Sequence, residues 1–201
     1  MGKALKSQLV IGLLAAVFIT GSAIAGLMPV PAGTKTQVAG IANSHLGSLG
    51  TVDSYVYKYT SGQYANQYLY TYKLTSTSVG ISFFSVGIND TLNLTLNVAN
   101  INYANDGGVN PLSWNAIGNN PLQSVDAGFF VTPIYSGQAS ALLWFVCDYA
   151  PVVGLGSVFG TSSGVPTFAA GQLYTIPEPT TIIMLTTGAL WICTRRKKSV
   201  A

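Results

Sequence analysis

From Thr51 onward the apolar and polar positions of this chain alternate. Tyr55, Tyr57 and Tyr59 alternate with Ser54, Val56 and Lys58 until Ser61-Gly62-Gln63 breaks the run. Tyr68, Tyr70, Tyr72 and Leu74 then alternate with Leu69, Thr71, Lys73 and Thr75, and Val79, Ile81 and Phe83 continue the pattern. Leu92, Leu94, Leu96 and Val98 alternate with Asn93, Thr95 and Asn97, the pattern of a half-buried strand. At Ile101 and Tyr103 the apolar positions change from even to odd, which suggests a bulge near Ala99-Asn100. Asn105-Asp106-Gly107-Gly108 and Asn119-Asn120-Pro121 read as turns. The run Ala141 to Cys147 is continuously apolar, as in a strand buried on both faces.

No stretch of this region forms a capped amphipathic helix. Short strands at roughly ten-residue spacing, separated by turn residues, predict an all-β body, an antiparallel β-sandwich or jelly roll. The pattern divides the chain into parts. Residues 26–50 are small, polar and glycine-rich and read as an extended lead-in with room for one early strand. Residues 51–153 are the sandwich. Residues 154–176, rich in Gly, Ser and Pro, read as its final part and partly as a spacer.

The two ends follow a different rule. Lys3 and Lys6 precede an uncharged apolar stretch from Leu9 to Ile19, and Ala23-Ile24-Ala25 supplies small residues before Gly26. Residues 1–25 therefore read as a signal peptide cut between Ala25 and Gly26 by signal peptidase. Eleven helical residues span about 16 Å, short of the roughly 30 Å hydrocarbon core of a membrane. At the other end stand Pro177-Glu178-Pro179, then an uncharged run from Thr180 to Thr194, then Arg195, Arg196, Lys197 and Lys198. A helix over 180–194 is about 22 Å long. The basic cluster is expected to hold the C-terminus on the cytoplasmic side of the inner membrane.

These features together resemble the PEP-CTERM sorting signal of Gram-negative bacteria, over residues 177–198. The resemblance implies an exosortase, a membrane-embedded cysteine transpeptidase, as processing partner. It implies a cut near Pro177-Glu178-Pro179 and release or attachment of the body at the cell surface. Members of that family are commonly associated with exopolysaccharide, biofilm or floc formation. The segments YLYTYKLTSTS, ISFFSVGI and LLWFVCDYAP through LYTIPEP also resemble bodies often found with this tail.

Charge narrows the choice of partners. Charged residues are 7% of the chain, against roughly 25% in an ordinary soluble domain. Between Gly26 and Ile176 stand three lysines and five aspartates, a net −2, with no arginine or glutamate. A nucleic-acid binder needs a row of Lys or Arg to displace counterions from phosphates, so nucleic acid is excluded.

Catalytic chemistry is sparse. His45 is the only histidine and has no assignable partner, although Asp53 is near in sequence. Gly160-Thr161-Ser162-Ser163-Gly164 matches a nucleophile elbow as a string, but no histidine follows it. Gly154 to Gly160 misses the dinucleotide fingerprint by one residue. After loss of the tail, Cys147 is the one remaining thiol, with apolar neighbours that favour an inert core position. No catalytic residue, metal or cofactor is assigned. Asn100, Asn102, Asn105 and Asp106 offer oxygen ligands for calcium, yet an Asx-Gly turn accounts for the same residues. Seven of the eleven tyrosines lie between Tyr55 and Tyr72. They are either one face of a core or a platform for sugar rings. The expected function is that of a non-enzymatic surface or matrix protein; the alternative is a glycan-binding module sorted by the same route.

Overall fold

The computed structural model describes residues 28–77, 80–87, 101–117, 124–162 and 165–176. The segment read as a signal peptide, the alternating run 92–98, the bulge expected at Ala99-Asn100 and the segment read as a sorting tail lie outside them. The described residues are all-β. Ten strands are β1 (Lys35–His45), β2 (Gly50–Tyr59), β3 (Tyr68–Ser76), β4 (Gly80–Gly87) and β5 (Ile101–Ala104), then β6 (Ser113–Ile117), β7 (Ser124–Gly128), β8 (Leu142–Cys147), β9 (Val152–Ser162) and β10 (Val165–Thr175). They form two antiparallel five-stranded sheets, ordered β1-β2-β3-β8-β5 and β10-β9-β4-β7-β6.

The sheets pack face to face because the alternation gives each an apolar inner side. Val52, Val56, Tyr70, Tyr72, Leu74, Ile101, Leu143 and Phe145 face Ile81, Phe84, Val86, Trp114, Val125, Val158 and Leu173 in one buried cluster. Aromatic rings lock the two layers. Tyr72 meets Phe84 at 5.7 Å between centroids, and Trp114 lies 6.5 Å from both Phe84 and Phe145. The Trp114 indole N–H donates to the Trp144 carbonyl at 3.1 Å, so its polar atom is satisfied inside the core. Ile101 and Tyr103 both belong to this inner side, as the odd-numbered phase predicts. The run ending at Cys147 is the buried strand β8, between β3 and β5, with buried residues on both faces.

The early strand for which the lead-in 26–50 left room is β1, eleven residues long and paired to β2 from Lys35↔Tyr59 to His45↔Thr51. Within 154–176, read as the final part of the body and partly as a spacer, residues 154–162 and 165–175 are strand: β9 and β10 pair in unbroken register from Ser162↔Val165 to Val152↔Thr175. The glycines here make room instead of supplying flexibility. A Cβ on Gly156 would overlap Leu173, and one on Gly160 would overlap the Gly80 carbonyl. Glycine alternates with Val153, Leu155 and Ser157, so the period-two signal was present but one phase of it carried no side chain.

The last strand is clamped at its end. The Tyr174 amide donates to Ser54 Oγ at 3.0 Å, and Tyr72 Oη donates to the Tyr174 carbonyl at 2.7 Å. Thr175 Oγ1 donates to the Gly87 carbonyl, and Ile176 is buried. Order therefore reaches the residue before Pro177.

Candidate functional site

The tyrosine cluster divides between the two faces of the first sheet. Register places Val56 opposite Tyr70 and Tyr57 opposite Leu69. With period two, Tyr70 and Tyr72 then point inward while Tyr55, Tyr57 and Tyr59 point outward. Tyr70 stacks on Phe145 at 4.9 Å with 13° between planes, and its hydroxyl donates to the Tyr149 carbonyl at 2.9 Å. Burial pushes the Tyr70 and Tyr72 hydroxyls well above the ordinary tyrosine range, so both remain neutral donors.

The outward row is mostly covered. The segment from Met28 to Gly33 crosses the outer face of the first sheet. Tyr59 Oη donates to the Pro31 carbonyl at 2.8 Å, and the Trp144 indole donates to the Met28 carbonyl at 3.3 Å. The Met28 amide donates to the Tyr103 carbonyl at 3.1 Å. Beneath this strap Tyr59, Leu69, Trp144 and Val146 form a second buried cluster, with Val30, Tyr57 and Tyr64 against it. Burial, and secondarily Tyr64, pushes the Tyr59 hydroxyl up to about 12. Between the strap and the Gly62–Tyr64 turn lies an open groove of about 760 Å³, with Trp144 and Asn102 at its floor. The tyrosines thus hold a strap and a core, and Tyr55, Tyr57 and Tyr64 are half-buried on the outer side.

The other candidate residues fall into structural roles. His45 is exposed at the end of β1. Asp53, its sequence neighbour, accepts the Asn43 amide at 2.7 Å and supports a β1 irregularity where Asn43 has φ of 51°. Cys147 is buried in the core and its thiol is pushed up to about 12 by burial, so it is no thiolate nucleophile at neutral pH. Gly160 to Ser162 lie in β9 and are followed by strand β10, where an elbow requires a helix.

The oxygen-rich turn is an Asx turn. Asn105 and Asp106 accept the Gly107 and Gly108 amides at 3.3 and 3.4 Å. Asp106 also pairs with Lys73 at 2.6 Å, while Asn102 is buried in β5. Among the described residues, no three His, Cys, Asp or Glu side chains converge on one point. Ala23, Ala25, Gly26, Pro177, Glu178, Pro179 and the cluster Arg195, Arg196, Lys197 and Lys198 lie outside the described residues.

One group of residues escaped the sequence reading. Phe83, Phe130, Phe159 and Phe168 gather on the outer face of the second sheet. The signal that could have found part of it is the Ser163-Gly164 dipeptide. It is a turn signal in the sequence, and the register of the described strands on either side sets Phe159 opposite Phe168. Fold and surfaces together define an all-β, two-sheet protein with one strapped face and one open aromatic face. No family model, curated protein or solved structure matches this chain.

Proposed function

We propose that this chain is an exported bacterial surface or extracellular-matrix protein, sorted through a PEP-CTERM-like tail that an exosortase processes. The observation that carries the reading is the order of the tail: Pro177-Glu178-Pro179, the uncharged run 180–194, then Arg195 to Lys198. In this reading 180–194 holds the chain transiently in the inner membrane, and the body acts outside as a non-enzymatic component of the matrix.

The position of the last strand supports it. The clamp on Tyr174 and Thr175 and the buried Ile176 end where Pro177 begins. A cut after Ile176 would leave every described strand and its hydrogen bonds in place. A cut upstream of Tyr174 would remove backbone partners of the buried Ser54 and Tyr72 side chains, which costs about 1–3 kcal/mol for each polar group left unpaired.

Mass spectrometry of the mature termini in an exosortase-bearing host tests the reading. The expected product begins at Gly26, ends beyond Ile176 and lacks the basic tail. A chain beginning at Met1 would overturn the export step. A chain that keeps Arg195 to Lys198 would replace the sorted protein with a permanently anchored one. A glycan-binding module on the same route is the second reading, favoured by the open aromatic face of the second sheet.

A further inference from the structure

Strand pairing arranges the outer side chains of the second sheet in rows that run across its strands. Phe168 stands opposite Phe159 on β9, and Phe159 stands opposite Phe83 on β4. Phe83 faces Gly128 on β7, where there is no side chain. Phe130, just beyond β7, fills that place. A Cβ on Gly128 would lie 2.8 Å from the Phe130 ring, so glycine is what lets the ring lie over the strand. The ring centroids are 4.7 Å apart for Phe159 and Phe168 and 6.0 Å apart for Phe83 and Phe130. Four rings thus span four strands. The terminal two are the open ones, Phe168 at 78% exposure and Phe130 at 60%.

Two residues further along each strand lies a second row: Ala170, Ser157, Ser85, Asp126 and Asn115 in register. Ser85 Oγ donates to Asp126 Oδ1 at 2.6 Å. An aromatic row and a hydroxyl-amide-carboxylate row therefore run side by side. Strands of a sheet lie about 4.8 Å apart, close to the length that one sugar ring occupies in a β-linked chain. Aromatic faces take the C–H side of a sugar, and the adjacent row meets its hydroxyls.

Charge selects among occupants. The five strands of this sheet carry one charged side chain, Asp126, and no lysine, arginine or histidine. An acidic polysaccharide, a phospholipid headgroup or a nucleic acid finds no cation there. A second copy of the sheet stacked face to face would bury Ser157, Ser85, Asn115 and the Asp126 carboxylate away from water, which is costly without new partners. A neutral sugar chain supplies hydroxyl partners to the same groups.

We propose that the outer face of the second sheet is a binding platform for a neutral, extended polysaccharide, with Phe83, Phe130, Phe159 and Phe168 as stacking rings and Ser85, Ser157 and Asp126 as hydrogen-bonding partners. It deepens the surface-protein reading by naming the face that meets the matrix, and its chemistry does not depend on whether the tail is cut. The test is native affinity electrophoresis of the purified full chain in gels holding hydroxyethyl cellulose, a soluble β-glucan, dextran or alginate. Retardation is expected in at least one neutral gel and not in alginate. The Phe130→Ala/Phe168→Ala double variant should weaken it by about tenfold or more, as loss of central aromatic contacts does in other interfaces. Tyr57→Ala, on the opposite face, should leave it unchanged.

Thermal unfolding of each variant checks that the fold is intact; should the double variant unfold, Phe168→Ala alone carries the test. No retardation in any neutral gel, equal retardation in alginate, or unchanged retardation of the phenylalanine variants would overturn the proposal. So would a dimer in sedimentation velocity that the double variant abolishes, since a second copy would then occupy the face. Sorting is read separately from the mature termini, so either reading can fail alone.

Discussion

The two sheets share one core but treat their outer faces differently. On the first sheet the outer aromatic residues are mostly covered. Met28 to Gly33 straps across Tyr59 and Trp144 and draws hydrogen bonds from both. This sheet also holds all three lysines of the body, with Lys35 and Lys58 each 5.5 Å from a tyrosine ring and Lys73 paired to Asp106. On the second sheet nothing described covers Phe168 or Phe130, and Asp126 is the one charge on its strands. Tyr and Trp suit a covered position because their polar atoms reach a backbone carbonyl. Phenylalanine has no such handle, so its exposed rings contribute little to folding. One outer face is thus argued to stabilise the protein, and the other to be available for contact.

The sharpest way to break this contrast is Trp144→Ala. Its side chain is buried beneath the strap and bonds to it, so truncation should cost about 3–5 kcal/mol, the usual range for a buried tryptophan. Urea unfolding followed by circular dichroism measures it; a loss near zero would mean that the strap contributes nothing.

Tyr59→Phe removes only the bond to Pro31, and about 1 kcal/mol should be lost. The same variant has a pH signature. The Tyr59 hydroxyl ionises near 10.0 when unfolded and is held protonated to about 12 in the fold. Its contribution is therefore complete below pH 10 and disappears as pH rises from 10 toward 12. Cys147, raised from 9.0 to about 12, adds to the alkaline loss from a lower starting pH. Alkaline titration of wild type against Tyr59→Phe isolates the tyrosine share. Equal stability differences at pH 8 and pH 12 would show that Tyr59 is not buried by the strap.

Asp106→Asn tests the charged edge of the first sheet. Both partners of the pair are about one-third exposed, so the loss should be about 0.2–1 kcal/mol and should shrink as salt is raised. Insensitivity to salt would point to the turn bonds at Gly108 as the whole effect.

Phe168→Ser should change stability least, within about 0.5 kcal/mol, because its ring is mostly in water. A cost several times larger would mean that the phenylalanine row belongs to the fold and not to a ligand. Fluorescence-monitored denaturation is sufficient to decide.

Much of the body was legible from alternation. The all-β class, the phase of Tyr68 to Leu74, the doubly buried β8 and the odd phase at Ile101 and Tyr103 all follow from which positions are apolar. Alternation failed where glycine replaced one phase, at Gly154, Gly156 and Gly160. Two long strands there looked like a spacer because their inner positions lend space to Leu173 and its neighbours rather than a side chain. The early strand β1 was obscured for another reason: its register shifts twice against β2, so a strict period is lost.

By itself the sequence determined composition, the charge-poor body, the order of features at both ends and the periodicity that requires strands. Those are properties of neighbours along the chain. Tertiary structure decided which tyrosines are core, since Tyr57 and Tyr70 differ only in the side of the sheet that the β2–β3 register assigns them. It also decided that Phe83 and Phe130, separated along the chain, stack at 6.0 Å, and that Phe159 and Phe168 extend the same row. Strand order brings those residues together, and strand order is set by long-range pairing that no local pattern encodes.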